Sequence, residues 1–255
     1  MRKCLVLGLV LTIAWPMIGA EQINVAAAAD LNYALTELAG KFEAASGANV
    51  VLAFGSSGNL FAQIQNGAPF DLFFSADEDY PKKLAAVGVV DGSTLRLYAI
   101  GHLVLWVPNQ SPVDPQALHM DLLTQASVAR VALANPQHAP YGKAAMAALG
   151  HFGLKEKIES KLVYGENVSQ AAQFVQSGNA QAGLIALSLA KSPPMASSGK
   201  YWEVPLDAYP EMRQAAVVVS ASKQKKLAQA FLDFILSPEG ASVLRKFGLT
   251  SPTRP

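Results

Sequence analysis

The sequence predicts an α/β protein. Short apolar runs of strand length alternate along it with segments whose apolar residues recur every three or four positions. The junctions between them are built of small residues, hydroxyls and acids of the kind that open helices. A chain of 255 residues, 51% of them hydrophobic, is ample for a buried core. Disorder is thereby excluded. Only 15% of residues are charged, and 20 Lys and Arg against 19 Asp and Glu leave a formal charge of +1. No basic stripe of the kind nucleic acid demands is present, so a polyanion partner is not expected.

Taken in order, residues 23–27 are a short β-compatible run, and Asp30 then precedes Leu31, Leu35, Leu38 and Phe42. Their spacing of four, three and four marks one face of a helix, for which Asp30 is placed as N-cap. Residues 50–54 read as a second strand, 55–58 as a turn and 60–65 as a helix that Gly67 ends. A third strand over 71–75 leads to a helix over 80–87, closed by Gly88. Strands follow at 103–107 and 131–134, the latter leading through 135–141 into an alanine-rich helix over 143–149. Residues 165–167 precede a helix over 168–176, with Val168, Ala171, Ala172 and Val175 on one face and Gly178 at its end. Residues 183–186 and 216–219 are late strands, and the Pro- and Ser-rich piece 192–198 reads as a surface loop. The alternation argues for mainly parallel sheets. No repeat, low-complexity tract or flexible linker divides the chain. That is compatible with two lobes joined by crossing strands, placed near 99–101 and 209–214.

Arg2 and Lys3, an apolar run over 5–13, and then Pro16 with Gly19-Ala20 make residues 1–20 a predicted secretory signal peptide cleaved after about Ala20. The run stops short of the ~20 apolar residues a membrane span needs. The expectation is an exported, soluble protein, with the bacterial periplasm as its compartment and no membrane insertion of the mature chain. Cys4, the single cysteine, precedes the apolar run and leaves with the leader, so no disulfide or thiol chemistry is expected.

No enzymatic machinery is legible. His102, His119, His138 and His151 never fall at i, i+4 and none sits beside a carboxylate at metal-ligand spacing. The run Gly55-Ser56-Ser57-Gly58 brings its second glycine one position too early for a nucleophile elbow. Neither a Walker lysine nor a dinucleotide fingerprint occurs. Asp71 and Asp77 are expected as turn and cap residues. The reading is therefore of no catalytic residue, no cation ligands and no cofactor.

What remains is a set of strand-to-helix junctions: Ala28-Ala29-Asp30, Gly55-Ser56-Ser57-Gly58, Pro140-Tyr141-Gly142 and Glu166-Asn167-Val168. The first N–H groups of a helix lack internal partners, and the aligned peptide dipoles place roughly half a positive charge there. Small residues and hydroxyls at such starts suit an oxyanion without any lysine or arginine. In open α/β sheets these starts lie at the carboxyl ends of strands, where ligands bind.

These junctions belong to longer stretches: 25–31, 54–60, Gly67-Ala68-Pro69-Phe70-Asp71-Leu72-Phe73-Phe74-Ser75-Ala76-Asp77, 135–142, 165–168, 234–240 and 246–249. Through them the chain resembles the periplasmic molybdate-binding proteins of ABC transporters, over essentially the whole mature length. The Gly-Ala-Pro-x-Asp-Leu-Phe-x-Ser-Ala-Asp stretch carries the resemblance most specifically; the C-terminal stretches are shared with other solute-binding proteins.

The resemblance implies a two-lobed periplasmic-binding-protein fold, each lobe a mainly parallel sheet flanked by helices, hinged by crossing strands. One lobe would comprise 21–99 with 213–255, the other 100–212. It implies capture of molybdate, and of tungstate, for an inner-membrane ABC permease, by a monomer that catalyses nothing. Carried over position by position, Ser57 would donate its hydroxyl and N–H, Ala29 and Asp30 occupy the first-loop ligand position, and Tyr141 and Val168 supply backbone N–H groups. Molybdenum would be held only as its oxyanion, through those residues. Two positions depart from the family pattern. Many relatives carry Ser or Asn where Asp30 stands, and because a carboxylate repels a dianion, Asp30 is expected to offer its N–H and turn its side chain away as an N-cap. Some relatives use a tyrosine hydroxyl at the position of Ala186, which has none to give. Two rivals follow from these departures and from the serine run: a binder of another tetrahedral oxyanion such as sulfate or chromate, and a secreted hydrolase using Ser57, which would need a histidine beside that hydroxyl.

Overall fold

A computed structural model describes residues 21–252. The predicted leader, with Cys4, lies outside the described residues. The chain runs through β1 (Gln22–Ala28), α1 (Asn32–Ser46), β2 (Asn49–Gly55), α2 (Ser57–Gln65), β3 (Leu72–Ser75), α3 (Asp79–Ala86) and β4 (Arg96–Gly101). It continues through β5 (Leu103–Pro108), α4 (Pro115–Leu118), β6 (Val131–Ala134), α5 (Pro140–His151), α6 (Lys155–Ile158), β7 (Leu162–Gly165), α7 (Val168–Gln176) and β8 (Ala182–Ala186). The last elements are α8 (Leu187–Ala190), α9 (Pro193–Ala196), β9 (Gly199–Glu203), β10 (Met212–Val218), α10 (Lys225–Leu236) and α11 (Pro238–Lys246).

Two five-stranded sheets result, β2-β1-β3-β10-β4 and β7-β6-β8-β5-β9. In each, the first three strands pair in parallel and the fourth runs against both neighbours, so four of five point the same way. The reversed strand, β10 or β5, is in both cases the one by which the chain arrives from the other sheet. His102 alone separates β4 from β5 on the outward crossing; the return runs from Glu203 to Met212.

Sheet one is covered on both faces, and the strand period of two sorts its side chains. Val25, Ala27, Leu72 and Phe74 pack with α1, α10 and α11. Ala26, Phe73 and Val217 face the other way, toward Leu60, Ile64, Tyr80 and Leu84 of α2 and α3. The second sheet has its own core, which also takes in Ala28, Ala29 and Ala76 from the carboxyl ends of β1 and β3. The lobes therefore touch where β1 and β3 end.

Several boundaries differ from the sequence reading. Strands β7 and β9 were not expected; both lie at sheet edges and are only partly buried, which breaks the continuous apolar run that marks a strand. Residues 192–198 hold the one-turn helix α9 with Met195 buried, where a surface loop was expected. Helix α5 begins at Pro140, because proline at the first position loses no helical hydrogen bond. That places Tyr141 in the first turn. Helix α2 begins at Ser57, with Ser56 as the N-cap accepting from the Asn59 N–H.

Candidate functional site

Four of the junctions singled out in the sequence meet between the lobes. The Gly58 N–H, in the first turn of α2, donates to the His138 carbonyl two residues before α5, at 2.9 Å. Asn59 Nδ2 donates to Glu166 just ahead of α7. The Tyr141 hydroxyl donates to Asp30 Oδ2 at 3.2 Å, tying α5 to the single 3₁₀ turn Ala29–Leu31 that follows β1. Ser188 of α8 donates its hydroxyl to the Asp30 carbonyl at 2.7 Å. Close approach is built into this contact: a Cβ on Gly58 would lie 2.6 Å from the His138 carbonyl oxygen.

The meeting point is rich in donors. Ser57, Tyr141 and Val168 occupy the first or second position of α2, α5 and α7, and all three are buried. Their backbone N–H groups have no acceptor among the described residues, as helix geometry dictates for first-turn amides. The Ser57 oxygen accepts from the Ala76 N–H at 2.9 Å, and its hydroxyl proton finds no acceptor among the described residues. A fixed lone pair with a free O–H is the arrangement of a hydroxyl held ready to donate. Ala29 is buried beside Asp30.

Asp30 corrects the expectation made for it. It caps no helix: α1 starts two residues later, and its N-cap position is Leu31, with no side-chain bond. The carboxyl instead stays in the interlobe contact, because two strong donors meet it there. Gln214 Nε2, on β10, donates to Oδ2 at 2.7 Å, alongside the Tyr141 hydroxyl. Gln214 is itself oriented by the Tyr98 hydroxyl, which donates to its Oε1 at 2.7 Å. Asp30 Oδ1 is buried without any partner among the described residues. Burial pushes the carboxyl up to about 6, against the lowering influence of Gln214, Tyr141 and its own backbone N–H. Burial also raises the Tyr98 and Tyr141 phenols well above their ordinary range, and the nearby Asp30 charge adds to both. Gly101, at the end of β4, leaves room for the cluster: a Cβ there would lie 2.6 Å from both Gln214 Nε2 and the Tyr141 hydroxyl oxygen.

Sequence reasoning missed Tyr98, Gln214 and Ser188. The available signal was an amide, Gln214, at the start of an apolar strand, where it has to be buried. The histidine beside the serine run is His138, but its Nδ1 lies 2.9 Å from the oxygen of Ser56, the N-cap, and not from Ser57. Ala186 ends β8 fully buried. Asp71 accepts from the Asn24 N–H and from Ser222, and Asp77 accepts from the Tyr80 N–H at the start of α3. Among the described residues, no group of three or more His, Cys, Asp or Glu is placed to hold a metal ion.

Two five-stranded sheets joined by crossing strands, with the starts of α2, α5 and α7 in contact between them, match the architecture of a solute-binding fold, and the family comparison agrees. The model of the bacterial extracellular solute-binding protein family matches residues 23–250. The chain belongs to that family. Its solute-binding relatives include the molybdate-binding protein ModA of Azotobacter vinelandii, 38% identical over 229 residues that make up 90% of each chain. ModA of Rhodobacter capsulatus is likewise 38% identical, over 95% of this chain and 93% of its own. Among solved structures, the periplasmic molybdate-binding protein of Azotobacter vinelandii superposes with a TM-score of 0.84 at 34% identity, covering 91% of this chain and 100% of that one. As a solute-binding protein, the chain has a family role of binding, not of catalysis. Among the described residues, no helix is long and apolar enough to cross a membrane.

Proposed function

We propose that this solute-binding protein captures molybdate, with tungstate as an equivalent ligand, and delivers it to an inner-membrane ABC permease. It acts as an exported periplasmic monomer, without cofactor or chemical turnover. The observation that supports this reading is that Gly58 on His138 and Asn59 on Glu166 bring the start of α2 to the starts of α5 and α7, where the N–H groups of Ser57, Tyr141 and Val168 have no acceptor among the described residues. Such a site neutralises an anion by fixed dipoles and charge-assisted hydrogen bonds alone.

Each role follows from position. Ser57 gives its N–H and hydroxyl from the first lobe, residues 21–99 with 213–255. Tyr141 and Val168 give N–H groups from the second, 100–212. Ala29 and Asp30 line the first loop. Closure of the lobes dehydrates the ion, at a cost that six or seven hydrogen bonds of ~1.5–3 kcal/mol each can offset while leaving the ~8 kcal/mol of a micromolar complex. The names of the relatives point to molybdate as the oxyanion. Tungstate has almost the same size and shape and is not discriminated, whereas the smaller sulfate fits a molybdate cavity loosely. The Ser57 hydroxyl is a ligand donor and not a nucleophile, since the nearby imidazole engages Ser56.

Titration calorimetry of the ligand-free mature chain with molybdate, tungstate, sulfate and phosphate tests this. Tight one-to-one binding of the first two alone is the expected result; silence toward both, or preference for sulfate, overturns it. Ser57→Ala should weaken molybdate binding by about 1–3 kcal/mol, the usual consequence of losing a buried hydrogen bond. Unchanged affinity would remove Ser57 from the site.

A further inference from the structure

The Asp30 carboxyl sits in a donor-lined anion site, where an ionised side chain would repel the ligand, yet the structure keeps it there. Three observations resolve the conflict. First, the two side-chain donors that reach the carboxyl, Gln214 Nε2 at 2.7 Å and the Tyr141 hydroxyl at 3.2 Å, both go to Oδ2. Second, the Tyr98 hydroxyl stands 2.7 Å from Gln214 Oε1 and 3.1 Å from the Ser75 carbonyl, and donating its one proton along the shorter contact sets the amide with its N–H₂ toward Asp30, so Oδ2 is held as an acceptor. Third, Oδ1 is fully buried and has no partner among the described residues. An acceptor oxygen saturated with donors beside a bare one is the pattern of a neutral carboxyl, C=O at Oδ2 and O–H at Oδ1, whose proton points to something not supplied by the chain.

We infer that Asp30 binds the oxyanion in its protonated form, with Oδ1–H donating to a ligand oxygen, so that capture of the dianion is coupled to uptake of one proton at this position. The inference rests on the oxyanion reading of the site. The proton comes from solvent; no bond of the ligand is broken, and the dianion with its carboxyl partner carries one negative charge less than it would beside a carboxylate.

The surroundings supply no alternative means of neutralising the carboxylate. The turn Ala29–Leu31 packs on α1, α7, α8 and β2. Of these, α7, α8 and β2 carry no ionisable side chain. On α1, Lys41 pairs with Glu239, Glu37 with Lys246, and Glu43 accepts from the Val50 N–H; Tyr33 makes no bond to Asp30. The remaining ionisable neighbours are the Tyr98 and Tyr141 phenols, held neutral by burial. Burial already raises the Asp30 carboxyl to about 6, and a dianion against it raises it further.

The experiment is calorimetric titration of the mature wild-type chain with sodium molybdate from about pH 6.5 to 8.5, a range in which the ion stays fully deprotonated, in pairs of buffers with different ionisation heats. At the alkaline end, the expected result is uptake of about one proton per ion bound and an affinity falling about tenfold per pH unit. Asp30→Asn, which presents a permanent N–H donor, should take up no proton and bind with a flat pH profile. Molybdate binding by the wild type without proton uptake and with a flat profile would overturn the inference and leave the oxyanion reading standing, and the wild-type data decide this even where the variant fails to fold. Tighter binding of hydrogen phosphate than of molybdate would put the proton on the ligand and make Asp30 an acceptor, which also overturns it. Failure of both chains to bind any oxyanion at any pH would bring down the oxyanion reading, and this inference with it.

Discussion

The two lobes are joined twice, in places of opposite character. Deep between them lies the cluster of Asp30, Tyr141, Gln214 and Tyr98, all buried, in which one phenol and an amide meet a carboxyl and a second phenol holds the amide. At the rim, the start of α2 meets the segments ahead of α5 and α7 through Gly58, Ser56 and Asn59 on one side and His138 and Glu166 on the other, with the Glu166 side chain 59% exposed. A pair at such exposure is worth under ~1 kcal/mol, because water and salt screen it. A buried carboxyl, by contrast, carries ~1.4 kcal/mol for every unit by which its pKa is displaced. On the proposed reading, the rim would set the register in which the lobes close, and the deep cluster what the closed site accepts.

The largest effect that separates the two belongs to Asp30 in the ligand-free protein. Its carboxyl is raised from 3.8 to about 6, so between those values the folded chain holds a proton that the unfolded chain has released. The stability contribution is fully present below the unfolded value and is lost as pH rises through about 6. Above that the ionised group costs ~3 kcal/mol, about two pKa units. Asp30→Asn has no proton to lose. Denaturant unfolding of the two chains should therefore give nearly equal stabilities near pH 4 and a variant more stable by ~2–3 kcal/mol near pH 7.5. A difference that does not change with pH would show that the carboxyl is not a buried acid and would erase the contrast with the rim.

Next in size is the close approach at the rim. Gly58→Ala introduces a Cβ that would sit 2.6 Å from the backbone oxygen of His138 in the opposite lobe. Within its own helix alanine is favoured over glycine by ~1 kcal/mol. The Cβ would also lie 2.7 Å from the Tyr80 hydroxyl in its own lobe, a side-chain end that can move aside, so stability of the ligand-free chain should change little while affinity for molybdate drops by ~1–3 kcal/mol, the scale of overpacking at a tight contact. Loss of stability with unchanged affinity would mean that the rim contact serves folding and not closure.

The contrast also explains what the sequence disclosed. The junctions at 28–30, 55–58, 140–142 and 166–168 were legible because each consists of small or capping residues between a strand and a helix, which are local signals. The second lobe's α7 was read to its ends, from Val168 to Gln176, since its apolar face and the N-cap Asn167 lie within one segment. The deep cluster was illegible for the opposite reason. Asp30, Tyr98, Tyr141 and Gln214 come from four distant stretches, and the crossing strands β4 and β10, paired from Met212 opposite Gly101 with a register shift at Gln214/Ala215 that skips Tyr98, bring Tyr98 and Gln214 beside the first loop. Local logic made Asp30 a helix cap. Two donors from other elements took its carboxyl instead, a long-range outcome no local pattern encodes. Edge strands β7 and β9 escaped notice through partial burial, whereas the central β5 and β8, buried along their whole length, announced themselves.

The smallest effect sharpens the comparison most directly, because it asks whether the rim has any energetic weight beyond sterics. Asn59 donates to Glu166, and His138 Nε2 stands 3.8 Å from the same carboxylate oxygen. A double-mutant cycle of Asn59→Ala and Glu166→Ala, read on molybdate affinity, removes both partners without leaving a buried group unpaired, since Glu166 is open to solvent. The coupling expected is below ~1 kcal/mol, as for other exposed polar pairs. Because Asn59 is neutral, the coupling should change little between low and high salt. A coupling above ~2 kcal/mol would place the rim on the same footing as the deep cluster, and closure would then be governed by residues that never approach the ligand.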